Sequence, residues 1–336
     1  MLKTSLLSKV LLVCFLVPSF LVQAEEVNVY SYRQPFLVEP LFNVFTKETG
    51  VKVNVVFAKK GMAERLAREG EHSPSDILLT TDISRLVELH DQDLLQVVQS
   101  EILEQSVPEK FQSNDNTWYA LTMRVRNIYS SKRLGNIDIS YEDLADPKYK
   151  GRVCTRSGKH AYNVALVASM IAEHGEEKTL TWLEKFKKNL ARKPQGSDRG
   201  QVQAIHQNLC DLSLGNSYYF GNMLHDEKQK VWADAVNINF PNQSNRGAHV
   251  NISGVAMAKH APNQKNALAL MEFLVSEKAQ HMYAETNMEY PVREGVAVSE
   301  LVNSWGKFNA DELSLETIAK NRKAAIMLLD KAQFDL

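Results

Sequence analysis

From Val27 onward the chain alternates short apolar runs of strand character with amphipathic helical runs. That alternation restricts it to an α/β sheet with crossover helices. VNVYSY reads as a strand, and EPLFNVFTKETG as a helix with Leu41, Phe42 and Phe45 on one face and Gly50 as its stop. VKVNVVF is a second strand, MAERLAREG a helix closed by Gly70, and SDILLT a third strand, so β-α-β-α-β is expected within one lobe. The stretch from Trp118 to Ser131, WYALTMRVRNIYSS, lacks turn signals and reads as a long strand or crossover. A second lobe is expected after it, opening with a short helix, a turn and a strand in YEDLADPKYKGRVC and running through the helices around AYNVALVASMIAEHG and EKTLTWLEKFKKNL to the strands DLSLGN and AVNINF. HVNISGVAMAK then reads as a second crossover strand that returns the chain to the first lobe, followed by the helix APNQKNALALMEFLVS. The expected division is residues 25–123 and 251–300 in lobe 1, 124–250 in lobe 2, and a helical tail at 301–336. Two lobes joined by two crossings leave a cleft, and such clefts hold ligands.

The first 24 residues carry Lys3 and Lys9, then an apolar run interrupted by Pro18, then Val22-Gln23-Ala24. This is the pattern of a secretory signal cut after Ala24. An uncleaved anchor is the competing reading, but the run is short for a membrane span. Without that segment the chain has 37 basic and 40 acidic residues, a formal charge of −3. Such a balance argues against a nucleic-acid partner, which favours a strongly basic face. The mature chain is therefore expected in the periplasm, without stable membrane insertion. Cys154 and Cys210 remain after cleavage, in a compartment where disulfides form. They are read as a bridge, with two separate buried thiols as the alternative.

Enzyme motifs are missing: no G-x-S-x-G, Walker A, H-E-x-x-H, paired C-x-x-C or G-x-G-x-x-G occurs. No nucleophile and base pair stands out, and a binding protein is expected in place of an enzyme. GNSYYFGN places Tyr218 and Tyr219 side by side where a strand ends and a helix begins. Adjacent side chains diverge in regular structure, so two phenols share a target only at such a bend. Phenolate is a hard oxygen donor suited to a hard cation such as ferric iron. A free tyrosine ionises near pH ~10, so a metal must favour the charged form. Packing of two half-buried aromatics is the plainer alternative. A second junction carries Tyr162, just after the loop RSGKH, whose N–H groups and following helix start suit an anion. Arg33 and Arg124, at strand ends, can clamp a small oxyanion. Most of the nine histidines sit in polar text; His160, two residues before Tyr162 in the anion loop, is the exception and the one candidate for a role behind the ligands.

The stretches VNVYSYRQ, FTKETGVKVNVVF, SDILLTTD, YALTMRVRNIYSSK, YEDLADPKYKGRVCTRSGKHAYN, GNSYYFG and NMEYPVREGV together resemble the ferric-iron-binding periplasmic proteins of bacterial iron ABC transporters. The resemblance implies an α/β, two-lobed, type II-like periplasmic binding protein. It also implies capture of Fe³⁺ with a synergistic carbonate or bicarbonate-type anion, and delivery to an inner-membrane ABC permease by a monomer. By matching positions it implies Tyr162, Tyr218 and Tyr219 as metal ligands. Arg124 matches an anion-holding position, with Arg33 and Asn216 as further anion candidates. Many relatives place histidine directly after the Arg33 position; here Gln34 and Pro35 stand there, so the histidine ligand is absent, and Tyr32 is not counted as a ligand. Closure is expected on a hinge at Thr122 to Arg126 and Asn251 to Val255. The alternatives are the same fold carrying an organic anion or a polyamine, although no acidic residue flanks the tyrosine pair as a polyamine would want, or an exported enzyme on a similar scaffold.

Overall fold

A computed structural model describes residues 25–336, so the expected signal segment lies outside the described residues. The chain opens with β1 (Glu26–Ser31), α1 (Pro35–Thr49), β2 (Lys52–Phe57), α2 (Met62–Glu69) and β3 (Ile77–Thr80). These strands lie parallel in the order β2-β1-β3, as the alternation of the sequence requires. Helix α1 starts four residues before Glu39, because Pro35 takes the first helical position, where its missing N–H costs nothing. Gly50, at φ 78°, ends it and donates its N–H to the Thr46 carbonyl at 2.9 Å. The predicted face of Leu41, Phe42 and Phe45 is buried, together with Val38.

After α3 (Ile83–Asp91) and α4 (Glu101–Ser106) comes β4 (Trp118–Ser131), a single strand of 14 residues. The second region holds β5 (Val153–Cys154), α5 (Ala161–His174), α6 (Glu176–Lys188), α7 (Asp198–His206), β6 (Leu212–Asn216), α8 (Ser217–Leu224), α9 (Lys230–Ala233) and β7 (Val236–Asn239). The expected short helix in YEDLADPKYK is instead two 3-10 turns, at Glu142–Ala145 and Pro147–Tyr149. The Asp146-Pro147 step separates them, since the residue before a proline is disfavoured in helical conformation. The chain then returns through β8 (Val250–Met257), α10 (Gln264–Leu274), α11 (Glu277–Asn287) and β9 (Tyr290–Pro291), and closes with α12 (Glu300–Asn303), α13 (Leu315–Lys320) and α14 (Arg322–Lys331).

The strands follow the order β2-β1-β3-β8-β4-β6-β5, with β7 and β9 also on β4. Strand β4 changes partners along its length: residues up to Val125 pair with β8, and those from Arg126 pair with β6. The two crossover segments therefore lie against each other, with Thr122 opposite Ser253 and Arg124 opposite Asn251. The cores divide at the same place. One is built from residues between Val27 and Val125 and between Ala248 and Ala319; a second joins Ile128 through Leu214 to Ile318 through Phe334. The segment 301–336 is shared between them: Val302 and Leu315 enter the first core, Leu328, Leu329 and Phe334 the second. A smaller cluster surrounds the Cys154–Cys210 disulfide, whose Cα atoms are 5.9 Å apart. Among the described residues no helix is long and apolar enough to cross a membrane.

Candidate metal and anion site

The β6–α8 junction is shaped by Gly215 and Tyr129. A Cβ on Gly215 would lie 2.2 Å from Tyr129 Cε2, so only glycine admits the ring there. The Tyr129 hydroxyl in turn donates to the Asn216 carbonyl at 2.9 Å, fixing the residue from which the helix departs. Tyr218 and Tyr219 fall in the first turn of α8, and their rings lie side by side at 4.2 Å between centroids, 33° from parallel. The bend expected of GNSYYFGN is thus present.

Tyr162 reaches the same point from the first turn of α5: its hydroxyl is 3.1 Å from that of Tyr218. Residues 56 apart in sequence meet because β5 and β6 are parallel neighbours, so the helices that follow them start at the same edge of the sheet. His160 caps α5, its Nδ1 accepting from the Tyr162 N–H at 3.3 Å, and its ring stands edge-on to Tyr162 at 4.6 Å. Burial, helped by the Arg156 charge, pushes the imidazole down to about 4, so it stays neutral and able to accept.

Cationic groups surround these phenols. The guanidiniums of Arg156, Arg126 and Arg124 lie 5.3, 5.8 and 5.9 Å from the Tyr162 ring centre, and that of Arg199 lies 5.4 Å from Tyr219. In the metal-free protein burial raises Tyr218 well above the ordinary phenol range, with Tyr162 and Tyr219 adding to it. Burial likewise pushes Tyr219 up to about 12. Both phenols are therefore protonated at neutral pH, and a cation must displace their protons.

Arg124 and Asn216 share a small cavity with Tyr162, lined also by Arg126, His249 and Asn251. Arg124 donates to Ser253 Oγ at 2.9 Å, to the Ile252 carbonyl at 3.1 Å and to the Thr81 carbonyl, so it ties the crossover strands to the first lobe. Arg33 is elsewhere. It is 1 % exposed, pairs with Glu289 at 2.8 Å, and donates to Ser253 and Thr122. Tyr32 accepts the Met62 and Ala63 N–H groups at the start of α2, at 3.1 and 3.3 Å.

The RSGKH loop differs from its expected role as an open anion cradle. Its Gly158 N–H and Ser157 hydroxyl each donate to the Asp335 carboxylate at 2.6 Å, so the chain fills the cradle itself.

Several polar residues around the site escaped the sequence reading. Asp198, fully buried, pairs with Arg126 at 2.7 Å and Arg156 at 3.0 Å and accepts the Asn216 N–H at 2.9 Å. Burial opposes its ionisation, but Arg126 and Arg156 outweigh that and hold the carboxyl below its usual value. Arg126 also donates to Asn216 Oδ1 at 3.0 Å and Asn163 Oδ1 at 2.7 Å. His249, expected like most histidines to be solvated, is 1 % exposed; burial and the arginines beside it push it down to about 3, so it lines the cavity as a neutral ring. The arginine in TMRVRN and the Ser-Asp helix start at Ser197-Asp198 were the available signals. Among the described residues no group of three or more His, Cys, Asp or Glu side chains converges as a metal site, while the Tyr162 and Tyr218 hydroxyls do meet.

Known proteins support the architecture. The chain is 44 % identical over 315 residues to iron uptake protein A1 of Synechocystis, covering 92 % of this chain and 88 % of that one. Among solved structures, the apo ferric ion-binding protein A of Pasteurella haemolytica superposes with a TM-score of 0.89 at 55 % identity, covering 93 % of this chain and 99 % of that chain. A Trichodesmium protein solved in complex with iron and citrate ligands gives 0.88 at 36 % identity, covering 92 % and 99 %. The family described as bacterial extracellular solute-binding protein matches residues 73–310, and with these relatives across nearly the whole described fold the chain belongs to that family, as a two-lobed binding protein.

Proposed function

We propose that this chain is a periplasmic Fe³⁺-binding protein of an iron ABC transporter. It captures ferric iron between its lobes with Tyr162, Tyr218 and Tyr219 and delivers it to an inner-membrane permease. The observation that carries the reading is the meeting of the Tyr162 and Tyr218 hydroxyls at 3.1 Å, with the Tyr219 ring stacked beside them. Three phenolates neutralise Fe³⁺, and oxygen donors match a hard cation. The surrounding arginines favour the ionised phenols and leave positive charge for an anion that completes the shell. Arg124 and Asn216 hold that anion in the cavity beside Tyr162, and Arg33 supports Arg124 through the Ser253 hydroxyl that both contact. A carbonate-type anion is one candidate for that place, and citrate, the ligand named with iron in the Trichodesmium relative, is the other.

The role is binding and release by a monomer, with no chemical conversion. Strands β4 and β8 absorb the hinge motion at Thr122–Arg126 and Asn251–Val255, because these paired segments lie where β4 passes from the first core, at Val125, to the second, at Ile128. The N-terminal 24 residues direct export and are removed.

Titrating the metal-stripped mature protein with chelated Fe³⁺, with and without bicarbonate or citrate, tests the proposal. The expected result is a visible phenolate-to-iron charge-transfer band, strengthened by one of the anions and weakened or lost in Tyr218→Phe and Tyr219→Phe. Iron binding without the band would reject phenolate ligation, and no binding at all would reject the iron reading. X-ray scattering should show the loaded protein to be more compact; identical profiles would remove the closure step.

A further inference from the structure

The loop before α5 is held from the far end of the chain. We infer that Asp335 is a positioning residue for the iron site, fixing the loop that presents Tyr162; this rests on the reading of Tyr162 as a ligand.

Three observations carry it. The Asp335 carboxylate accepts two hydrogen bonds of 2.6 Å, from the Gly158 N–H and the Ser157 hydroxyl. A carboxylate held at an N–H near a helix start also interacts favourably with the helix dipole, and such charge-assisted bonds are the strong class. Next, the segment carrying Asp335 is itself anchored. Phe334 is 2 % exposed and packs on Phe186 at 5.2 Å between ring centres, and Lys187 Nζ donates to the Gln333 carbonyl at 2.6 Å. The approach to the loop is so close that a Cβ on Gly158 would lie 2.7 Å from Phe334 Cδ1 and 2.8 Å from Leu329 Cδ2. Gly158 thus serves close contact, not an unusual backbone angle.

Last, hydrogen bonds run from this anchor to the site. The Ser157 carbonyl accepts from the His160 N–H at 3.1 Å, and His160 Nδ1 accepts from the Tyr162 N–H. The Arg156 and Ser157 carbonyls accept from Asn163 Nδ2 at 3.1 and 3.2 Å, and Asn163 Oδ1 holds Arg126. Phenolate geometry depends on the loop before Tyr162 staying in place, and a ligand on a loop is only as precise as the contacts behind it. Removing the carboxylate opens the cradle to water or to a free anion.

The test uses the full chain with Asp335→Ala and Asp335→Asn, and Lys278→Gln as a control that removes only the exposed Lys278–Glu48 pair, remote from the loop. Asp335→Ala is expected to lose amide-exchange protection at Gly158 and to shift the charge-transfer band. It should also release iron to a competing chelator faster, on the order of tenfold, since part of the loss of two charge-assisted bonds is passed on to Tyr162. Added formate, a carboxylate able to enter the cradle, should slow release again. Asp335→Asn keeps an acceptor without the charge and should fall between, and it serves if the alanine variant does not fold; Lys278→Gln should match the wild type. Wild-type exchange at Gly158, or an unshifted band without formate rescue, in the Asp335 variants overturns the inference alone. Absence of any band in the wild type overturns the ligand reading and this inference with it.

Discussion

Iron binding should be steeply pH-dependent, and the structure sets a minimum slope. Tyr218 and Tyr219 are both raised above the ordinary phenol value in the metal-free site, Tyr219 to about 12, so each enters binding with its proton on across pH 5 to 8. Phenolate coordination therefore releases at least two protons, and the apparent constant falls by about 100-fold for each pH unit lost. From pH 7.5 to 5.5 that is a loss of about four decades, or roughly 5.4 kcal/mol at about 1.36 kcal/mol per decade. Raised folded values mean that the protonated, non-coordinating form gains as pH falls, so the sign is fixed: affinity weakens toward acid. Equilibrium competition against a chelator of known protonation constants, at constant salt and saturating anion, measures the slope. Tyr219→Phe should lower it by one unit. A wild-type slope of one or less, or a slope unchanged in Tyr219→Phe, would refute the reasoning.

Three further outcomes follow from the packing around the site. Asp198→Asn leaves Arg126 and Arg156 without their buried counter-charge and should cost about 3–5 kcal/mol in urea unfolding. Because the Asp198 value is depressed in the fold, this contribution is present above the unfolded carboxyl value and is lost as pH falls through the folded one; the gap between wild type and variant should narrow in acid and stay wide at neutral pH. The Cys154–Cys210 bridge spans 56 residues of sequence, and its reduction should lower stability by about 4 kcal/mol by loop entropy, checked by unfolding with and without reductant; equal midpoints would contradict it. Gly215→Ala forces the Tyr129 ring off the β6–α8 junction and should destabilise by about 1–3 kcal/mol while displacing the tyrosine pair, seen as a weaker charge-transfer band; a wild-type band and melting point would show that the ring contact is dispensable.

Much of the scaffold was legible because it is local. Leu41, Phe42 and Phe45 repeat at helical spacing and are buried, and Gly50 stops α1 in the left-handed conformation that glycine favours. The start of α1 was misread because the apolar pattern begins after the Gln34-Pro35 step that opens the helix. The two 3-10 turns at Glu142–Ala145 and Pro147–Tyr149 replaced a predicted helix, since a proline after Asp146 outweighs the helical composition around it. Of the candidate ligands, Tyr218 and Tyr219 announced themselves by adjacency at a strand end, and Tyr162 by its place after a glycine-bearing loop.

The sequence by itself determined the alternation that makes an α/β sheet, the two crossings and the tyrosine pair at a bend, because periodicity, glycine and adjacency act within a few residues. Only the tertiary structure decided which distant groups face those tyrosines. Parallel pairing of β5 with β6 brings Tyr162 to Tyr218, burial commits Arg33 to Glu289, Asp198 gathers Arg126 and Arg156, and Asp335 fills the loop that looked open to a free anion. These are pairings of charge and hydrogen-bond capacity enforced by removal from water, and a polar group leaves no mark in its own neighbourhood of which remote partner will satisfy it.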